Sequence, residues 1–400
     1  MAVTLGPLDL VVVDSLETAL HTHFGWSRFR AGQRPVVEAV LSGRDALAVL
    51  PTGGGKSLCY QLPALIRGGL VVVISPLVAL MEDQVLQLRR RGIAAACLHA
   101  GLDPARRQQA MAALRDESLR LLYLAPERLQ GEATQRLLET HAAEGRLVAL
   151  AVDEAHCISA WGHDFRPDYR RLGLIRRLCP GVPMLALSAT AAPRVRADIL
   201  RLLDLRSPLV QVSSARRENL RYAMQRRPRD PMPQVLEALE QSRGATLIYA
   251  RTRRSVEHWA ERLQGESVEA TPYHAGLDPA TRQTALTQFL EQERPVLVAT
   301  VAFGMGVDRG DVGLVLHLDL PSTPEGYLQE SGRAGRDGQP ARCLVLFSPG
   351  DRTSLGWAMQ AAAGQGTTAD ERHRLDLAQQ QLRRMEAVAE GEMCREQALL

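Results

Sequence analysis

Aromatic side chains are scarce, at 4% of the 400 residues, so any stretch that concentrates them needs a reason beyond core filling. No apolar run is long enough to cross a bilayer. The longest, residues 70–81, is broken by Ser75 and Pro76. Six cysteines (Cys59, Cys97, Cys157, Cys179, Cys343 and Cys394) lie far apart with no C-x-x-C pair, which excludes a disulfide scaffold and fits buried thiols in a reducing compartment. No basic residue precedes the short apolar run 10–13, so no signal peptide is expected and a cytoplasmic location is. A net charge of +3 is too small an excess to argue for a polyanionic partner, and local patches must decide. Four hundred residues at 46% hydrophobic content exceed one ordinary core and suggest two globular domains plus a remainder.

What is present begins with residues 45–58, DALAVLPTGGGKSL, an apolar run, three glycines, Lys56 and Ser57, then a helix-compatible segment. That order reads as strand, phosphate loop, helix. Thr52, Gly53, Gly54 and Gly55 let backbone N–H groups converge on phosphate oxygens, Lys56 reaches the outer phosphates, and Ser57 can ligate Mg2+. The eight-residue G-x-x-x-x-G-K-[ST] pattern is missed, because Leu50 stands at its first glycine.

The chain repeats itself. HAGLDPARRQ at residues 99–108 returns as HAGLDPATRQ at residues 274–283, 175 residues on. At the same offset the apolar runs 71–74 and 121–124 fall on 246–249 and 296–299, and all four read as buried parallel strands. Two related α/β units are expected, over residues 1–215 and 216–350, with residues 351–400 helical. Lys56 maps onto Pro231, so only the first unit binds nucleotide. RRPRDPMP at residues 226–233 reads as an exposed linker between the units, and AAAGQGTT at residues 361–368 as a loose connector.

The other chemistry-bearing residues lie at strand ends. The apolar run 147–152 ends in Asp153-Glu154-Ala155-His156, which suits Asp153 to hold Mg2+, Glu154 to activate a water, and His156 to position and couple. A second run, 184–187, ends in Ser188-Ala189-Thr190. These hydroxyls either relay contacts toward the second unit or cap a helix at Thr190. QESGRAGRDG, residues 329–338, presents Arg333 and Arg336 among glycines, so that two guanidinium groups can reach one anion; Arg336 is arginine-finger material and Arg333 assists. In residues 296–308, VLVATVAFGMGVD, Thr300 can touch a nucleic-acid phosphate and Asp308 can face the nucleotide. Near the start, Gln33 suits the donor–acceptor edge of adenine, with Trp26 and Arg30 stacking on it, or the same residues simply cover a helix start. Residues 159–169, SAWGHDFRPDY, gather Trp161, His163, Phe165, Arg166 and Tyr169 in one loop, either to stack bases and meet phosphate or to form an aromatic lid.

Together, PTGGGKSLCYQLPAL, DEAHCISAWGHDFRPDYRRL, LSAT, ATVAFGMGVD and QESGRAGRDG resemble the motifs of superfamily 2 helicases. DEAH alone fits RNA helicases as well; the aromatic loop after it narrows the resemblance to the RecQ family of DNA helicases. The resemblance implies two tandem RecA-like domains with parallel sheets flanked by helices, and ATP with Mg2+ in the cleft between them. It also implies 3′-to-5′ movement on single-stranded DNA, forked DNA as a partner, a monomer, and work in DNA repair and recombination. Trp26, Arg30 and Gln33 match the family's adenine-contacting positions, and Arg336 matches its finger. Ala31 stands where the family usually has proline, and Val301 where asparagine is common. Residues 385–400 resemble the start of the family's four-cysteine zinc module, with Cys394 as first ligand. The other three ligands are absent, so zinc is expected only with further residues, and the last helices are expected to be poorly anchored.

Overall fold

Short β-rich apolar runs set the architecture: strands buried on both faces of a parallel sheet read as continuous hydrophobic stretches, such as Leu70–Ile74, LVVVI, every residue of which is buried. The computed structural model describes residues 14–161, 165–214, 216–301, 309–363 and 368–399. The strands of the first unit are β1 (Ala46–Val49), β2 (Leu70–Ile74), β3 (Ala95–Leu98), β4 (Leu121–Leu124), β5 (Leu147–Val152), β6 (Met184–Ser188) and β7 (Leu209–Val212). Those of the second are β8 (Leu220–Arg226), β9 (Ala245–Tyr249), β10 (Ala270–Tyr273), β11 (Val296–Ala299), β12 (Val312–His317) and β13 (Ala341–Phe347). All pairs are parallel, in the orders β3-β4-β2-β5-β6-β1-β7 and β10-β11-β9-β12-β13-β8.

The two orders are one topology. The 175-residue offset carries β2, β3 and β4 onto β9, β10 and β11, and the helices Val78–Arg90 and Pro104–Arg115 onto Arg253–Gly265 and Pro279–Glu291. Both repeated HAGLDPA segments do the same job: Asp103 and Asp278 cap those helices by accepting from Arg106 N–H and Thr281 N–H at 3.0 Å each. The register ends after β4, where the first unit inserts the helix Glu132–Ala143 before β5.

Three sequence expectations are corrected. Residues 226–233 are not the link between units. β8 runs through Arg226 and pairs along its whole length with β13, and the helix Met232–Glu240 begins just after Pro231, so the chain crosses between sheets at residues 213–219. The prolines suit a helix start, where a missing N–H costs nothing. The loose connector is shorter than expected, because the helix Gly350–Ala363 continues through its first alanines and Thr368 already caps the next helix.

The last helices are also anchored. Leu382, Met385, Val388 and Ala389 of the helix Ala369–Glu390, and Leu399 of Arg395–Leu399, are buried in one cluster with Val345 and Phe347 of β13. A 3-to-4-residue apolar spacing gives that helix one face for the second unit without any metal. Ion pairs Arg352–Glu386 at 2.9 Å and Arg384–Glu325 at 3.5 Å sit at the rim. Among the described residues no helix is long and apolar enough to cross a membrane.

Candidate active site between the two sheets

The phosphate loop follows β1. Gly54 N–H donates to the Pro51 carbonyl at 2.8 Å, and Leu58 N–H, opening the helix Leu58–Arg67, donates to the Gly55 carbonyl at 3.2 Å. Gly53 and Gly55 hold φ of +77° and +73°, and a Cβ on Gly55 would lie 2.4 Å from Gln33 Nε2. Both backbone shape and close approach therefore demand glycine there. Lys56 and Ser57 follow, half-buried.

Gln33 is buried at the start of the helix Gln33–Leu41. Its Nε2 donates to the carbonyls of Gly54 at 3.1 Å and Gly55 at 3.0 Å, and its Oε1 accepts from Arg30 N–H at 2.7 Å. Arg30 itself donates to the Gly53 carbonyl. The residues singled out for the base thus also grip the phosphate loop. Trp26, exposed, stacks on Phe24 with centroids 5.4 Å apart, and the Arg91 guanidinium lies over both rings.

β5 delivers the acidic pair. Asp153 N–H donates to the Ile74 carbonyl at 2.9 Å, the buried Tyr169 hydroxyl donates to the Asp153 carbonyl at 3.0 Å, and the Asp153 carboxylate accepts from Glu154 N–H at 3.0 Å. Burial, then the Glu154 charge, pushes the Asp153 pKa up to about 7 against the opposing pull of Lys56. Glu154 is left-handed at φ +47°, ψ +46°, a conformation that costs on the order of 1–3 kcal/mol and collects at functional sites. Its buried Oε2 makes no hydrogen bond and lies 3.3 Å from His156 Nδ1.

His156 Nδ1 is 3.0 Å from Ser188 Oγ, whose own hydrogen goes to the Thr190 carbonyl at 2.6 Å. With that hydroxyl proton spent, Nδ1 must carry the hydrogen offered to Ser188. Ser188 thus links His156 of the acidic turn to the Thr190 carbonyl, all within the first unit. Thr190 is not a helix cap: Ala192 occupies that position before Pro193.

From the second unit come the arginines. Arg333 is buried, with Nε donating to the Tyr249 hydroxyl at 3.1 Å. Arg336 lies against the phosphate loop, its Cγ 3.4 Å from where a Cβ on Gly53 would sit, and a Cβ on Gly332 would sit closer still, 2.8 Å from Thr52 Cβ. Arg217 and Asn219, which sequence reasoning missed, pin this turn. Arg217 donates to the carbonyls of Gly332, at 3.0 Å, and Gly335; Asn219 Nδ2 donates to those of Gly335 at 2.8 Å and Gln339 at 2.7 Å. Both lie in the crossing segment, which carries no motif.

A cleft of about 1050 Å3 collects these groups: Trp26, Arg30, Gln33, Thr52, Gly53, Gly55, Lys56, Ser57, Asp153 and Glu154 from one side, Arg333 and Arg336 from the other. Trp161 and Phe165 are half-buried outside the cleft, and Arg166 donates to the Pro76 carbonyl at 2.7 Å. Thr300 directly follows β11, its N–H donating to the Tyr273 carbonyl at 3.3 Å. Cys394 is exposed. His163 and Asp308 lie outside the described residues.

Two parallel α/β units, one phosphate loop, an acidic pair at a strand end and arginines facing them from the other unit define a two-lobed helicase motor of superfamily 2. Residues 30–199 match the model for DEAD/DEAH box helicases and residues 230–338 that for the helicase conserved C-terminal domain. ATP-dependent DNA helicase RecQ of Pasteurella multocida is 43% identical over 346 residues, 86% of this chain and 53% of that protein. RecQ of Haemophilus influenzae is 39% identical over 96% of this chain and 60% of its own length. The probable ATP-dependent DNA helicase RecS of Bacillus subtilis is 40% identical over 84% of this chain and 67% of its own length. The chain belongs to the RecQ family of DNA helicases. It spans 53% and 60% of the length of the first two relatives. Mycobacterium smegmatis helicase Lhr bound to ssDNA and AMP-PNP shares the fold at a TM-score of 0.66 and 19% identity, covering 93% of this chain and 57% of that one. A DEAD-box helicase bound to ssRNA does so at 0.68 and 18%, covering 93% and 84%.

Proposed function

We propose that this chain is an ATP-driven motor that moves 3′ to 5′ on single-stranded DNA and acts on forked DNA in repair and recombination, as a monomer in the cytoplasm or on the nucleoid. The observation that carries the reading is that Arg333 and Arg336 line the same cleft as Lys56, Asp153 and Glu154. Opening and closing of the units then changes the charge around a bound triphosphate.

The residues fit Mg2+ with ATP. A buried carboxyl with a raised pKa beside a second carboxylate lacking a hydrogen bond is an acidic pair that a divalent cation would neutralise. Ser57 and Asp153 would hold it, and bound Mg2+ supplies charge neutralisation at the phosphates. Loop N–H groups and Lys56 bind the phosphates, and Trp26, Arg30 and Gln33 take the adenine. Glu154 accepts a proton from the attacking water while His156, 3.3 Å from its buried Oε2, holds its orientation. Arg336 stabilises the charge that develops, with Arg333 braced by Tyr249. Trp161 and Phe165 stack bases, Arg166 and Thr300 meet phosphate, and the His156–Ser188 bond carries occupancy toward the cleft.

ATP hydrolysis measured with no nucleic acid, with a DNA oligonucleotide and with the matched RNA tests this reading. DNA should stimulate more than RNA, and stimulation should fall with salt as phosphate contacts are screened. A preference for RNA would remove the DNA assignment. These residues alone should hydrolyse ATP strongly and unwind a long blunt duplex poorly, since opening each stacked step costs about 1.4 kcal/mol.

A further inference from the structure

Trp161 and Phe165, the two aromatic rings assigned to bases, are already occupied by this chain's own cations. The Arg194 guanidinium lies over the Trp161 ring, 3.1 Å from its centroid, and the same ring meets His373 edge-to-face, with centroids 5.4 Å apart and planes at 83°. The Phe165 ring has the guanidinium of Arg170 over it at 5.0 Å and that of Arg374 at 5.7 Å. His373 and Arg374 are not neighbours of the loop in sequence or in unit. They sit in the second turn of the helix Ala369–Glu390, whose other end is buried in the core of the second unit. A capping box, Thr368 with Glu371, fixes the start of that helix and so the direction of both side chains.

We infer that this helix is an internal competitor for single-stranded DNA: His373 and Arg374 clamp the aromatic loop in the DNA-free protein and must release it before bases can stack. The inference rests on the proposed DNA role of Trp161 and Phe165. A guanidinium over an aromatic face takes the place a base would take. Because the loop also bonds to the site, through Tyr169 to the Asp153 carbonyl and through Cys157, whose carbonyl accepts from Arg166 N–H at 2.9 Å, releasing the clamp frees the loop to report DNA. Apparent DNA affinity is then lowered by the fraction of molecules held clamped. The contact also joins the two units at a point away from the nucleotide cleft.

His373→Ala and Arg374→Ala, singly and together, test this on the whole chain. His373 is exposed and Arg374 half-buried, so folding should survive, and an unchanged melting temperature checks it. Without DNA, amide hydrogen exchange in residues 157–171 should accelerate in the double variant. With DNA, the concentration of a single-stranded oligonucleotide that half-saturates ATPase stimulation should fall by about fivefold to thirtyfold, the scale of losing one cation–π contact and one aromatic pair. Unchanged exchange overturns the clamp. Faster exchange with a raised half-saturating concentration also overturns it, since His373 and Arg374 would then be DNA contacts themselves. A lack of DNA stimulation in the unaltered chain overturns the motor reading instead, before any variant is compared.

Discussion

Arg217 donates to the Gly332 carbonyl at 3.0 Å, so a residue on the crossing between the units holds the turn that presents Arg336 to the phosphate loop. Arg217→Ala should leave the Gly332 carbonyl without this partner and the Gly335 carbonyl with Asn219 alone, and let that turn drift. We expect kcat for ATP hydrolysis to fall by about tenfold to a hundredfold with KM for ATP nearly unchanged, because an arginine acting on developing charge affects the transition state more than binding. Steady-state kinetics separates this from a general loss of stability, which thermal unfolding reports. Arg336→Ala should do at least as much.

Gly55 has no room for a side chain. Gly55→Ala would place a Cβ 2.4 Å from Gln33 Nε2 at φ +73°, forcing Gln33 off the loop carbonyls. Nucleotide affinity should drop by about fivefold or more, from backbone strain of on the order of 1–3 kcal/mol. Titration with a fluorescent ATP analogue measures it. Gln33→Ala should show a smaller loss.

The acidic pair predicts a pH dependence whose sign can be worked out. Burial, then Glu154, raises the Asp153 pKa from 3.8 to about 7, so the folded, nucleotide-free chain holds this proton more tightly than the unfolded one. That contribution is complete below about 3.8 and is lost as pH rises through about 7. Asp153→Asn should therefore stabilise the apo chain at pH 8, by roughly 2–4 kcal/mol at most, and the gain should shrink toward pH 5. Denaturant unfolding at both values measures it. Affinity for Mg2+ with nucleotide should rise over the same range in the unaltered chain and be weak and flat in the variant.

Met385 is fully buried among residues of β13 and of its own helix. Met385→Ala should cost about 2–5 kcal/mol, seen as a lower melting temperature, even though the change lies in the segment expected to be loose. A variant as stable as the parent would return that helix to the role of an appendage.

Ser188→Ala removes the partner that fixes the hydrogen on His156 Nδ1. ATP binding should persist while stimulation by DNA weakens, and the ratio of DNA-stimulated to basal hydrolysis measures this. An unaltered ratio would leave Ser188 with packing alone.

Much of this protein is legible without coordinates. Glycine, lysine and serine after an apolar run specify a phosphate loop because only that backbone can converge its N–H groups. The 175-residue echo places the core strands of both sheets, since buried parallel strands are written as unbroken apolar runs. DEAH at one strand end and two arginines among glycines elsewhere mark the groups that the structure gathers in one cleft. What residue types and spacing could not decide is which side chains meet across tens to hundreds of residues. Arg217 on the Gly332 turn and His156 on Ser188 depend on where strand ends fall in three dimensions, and so do Gln33 on the loop carbonyls and Arg374 on Phe165. The anchoring of the last helices belongs there too: an amphipathic stripe says that a helix has one apolar face, and only the tertiary structure says that Leu382, Met385 and Val388 find β13 to bury it against.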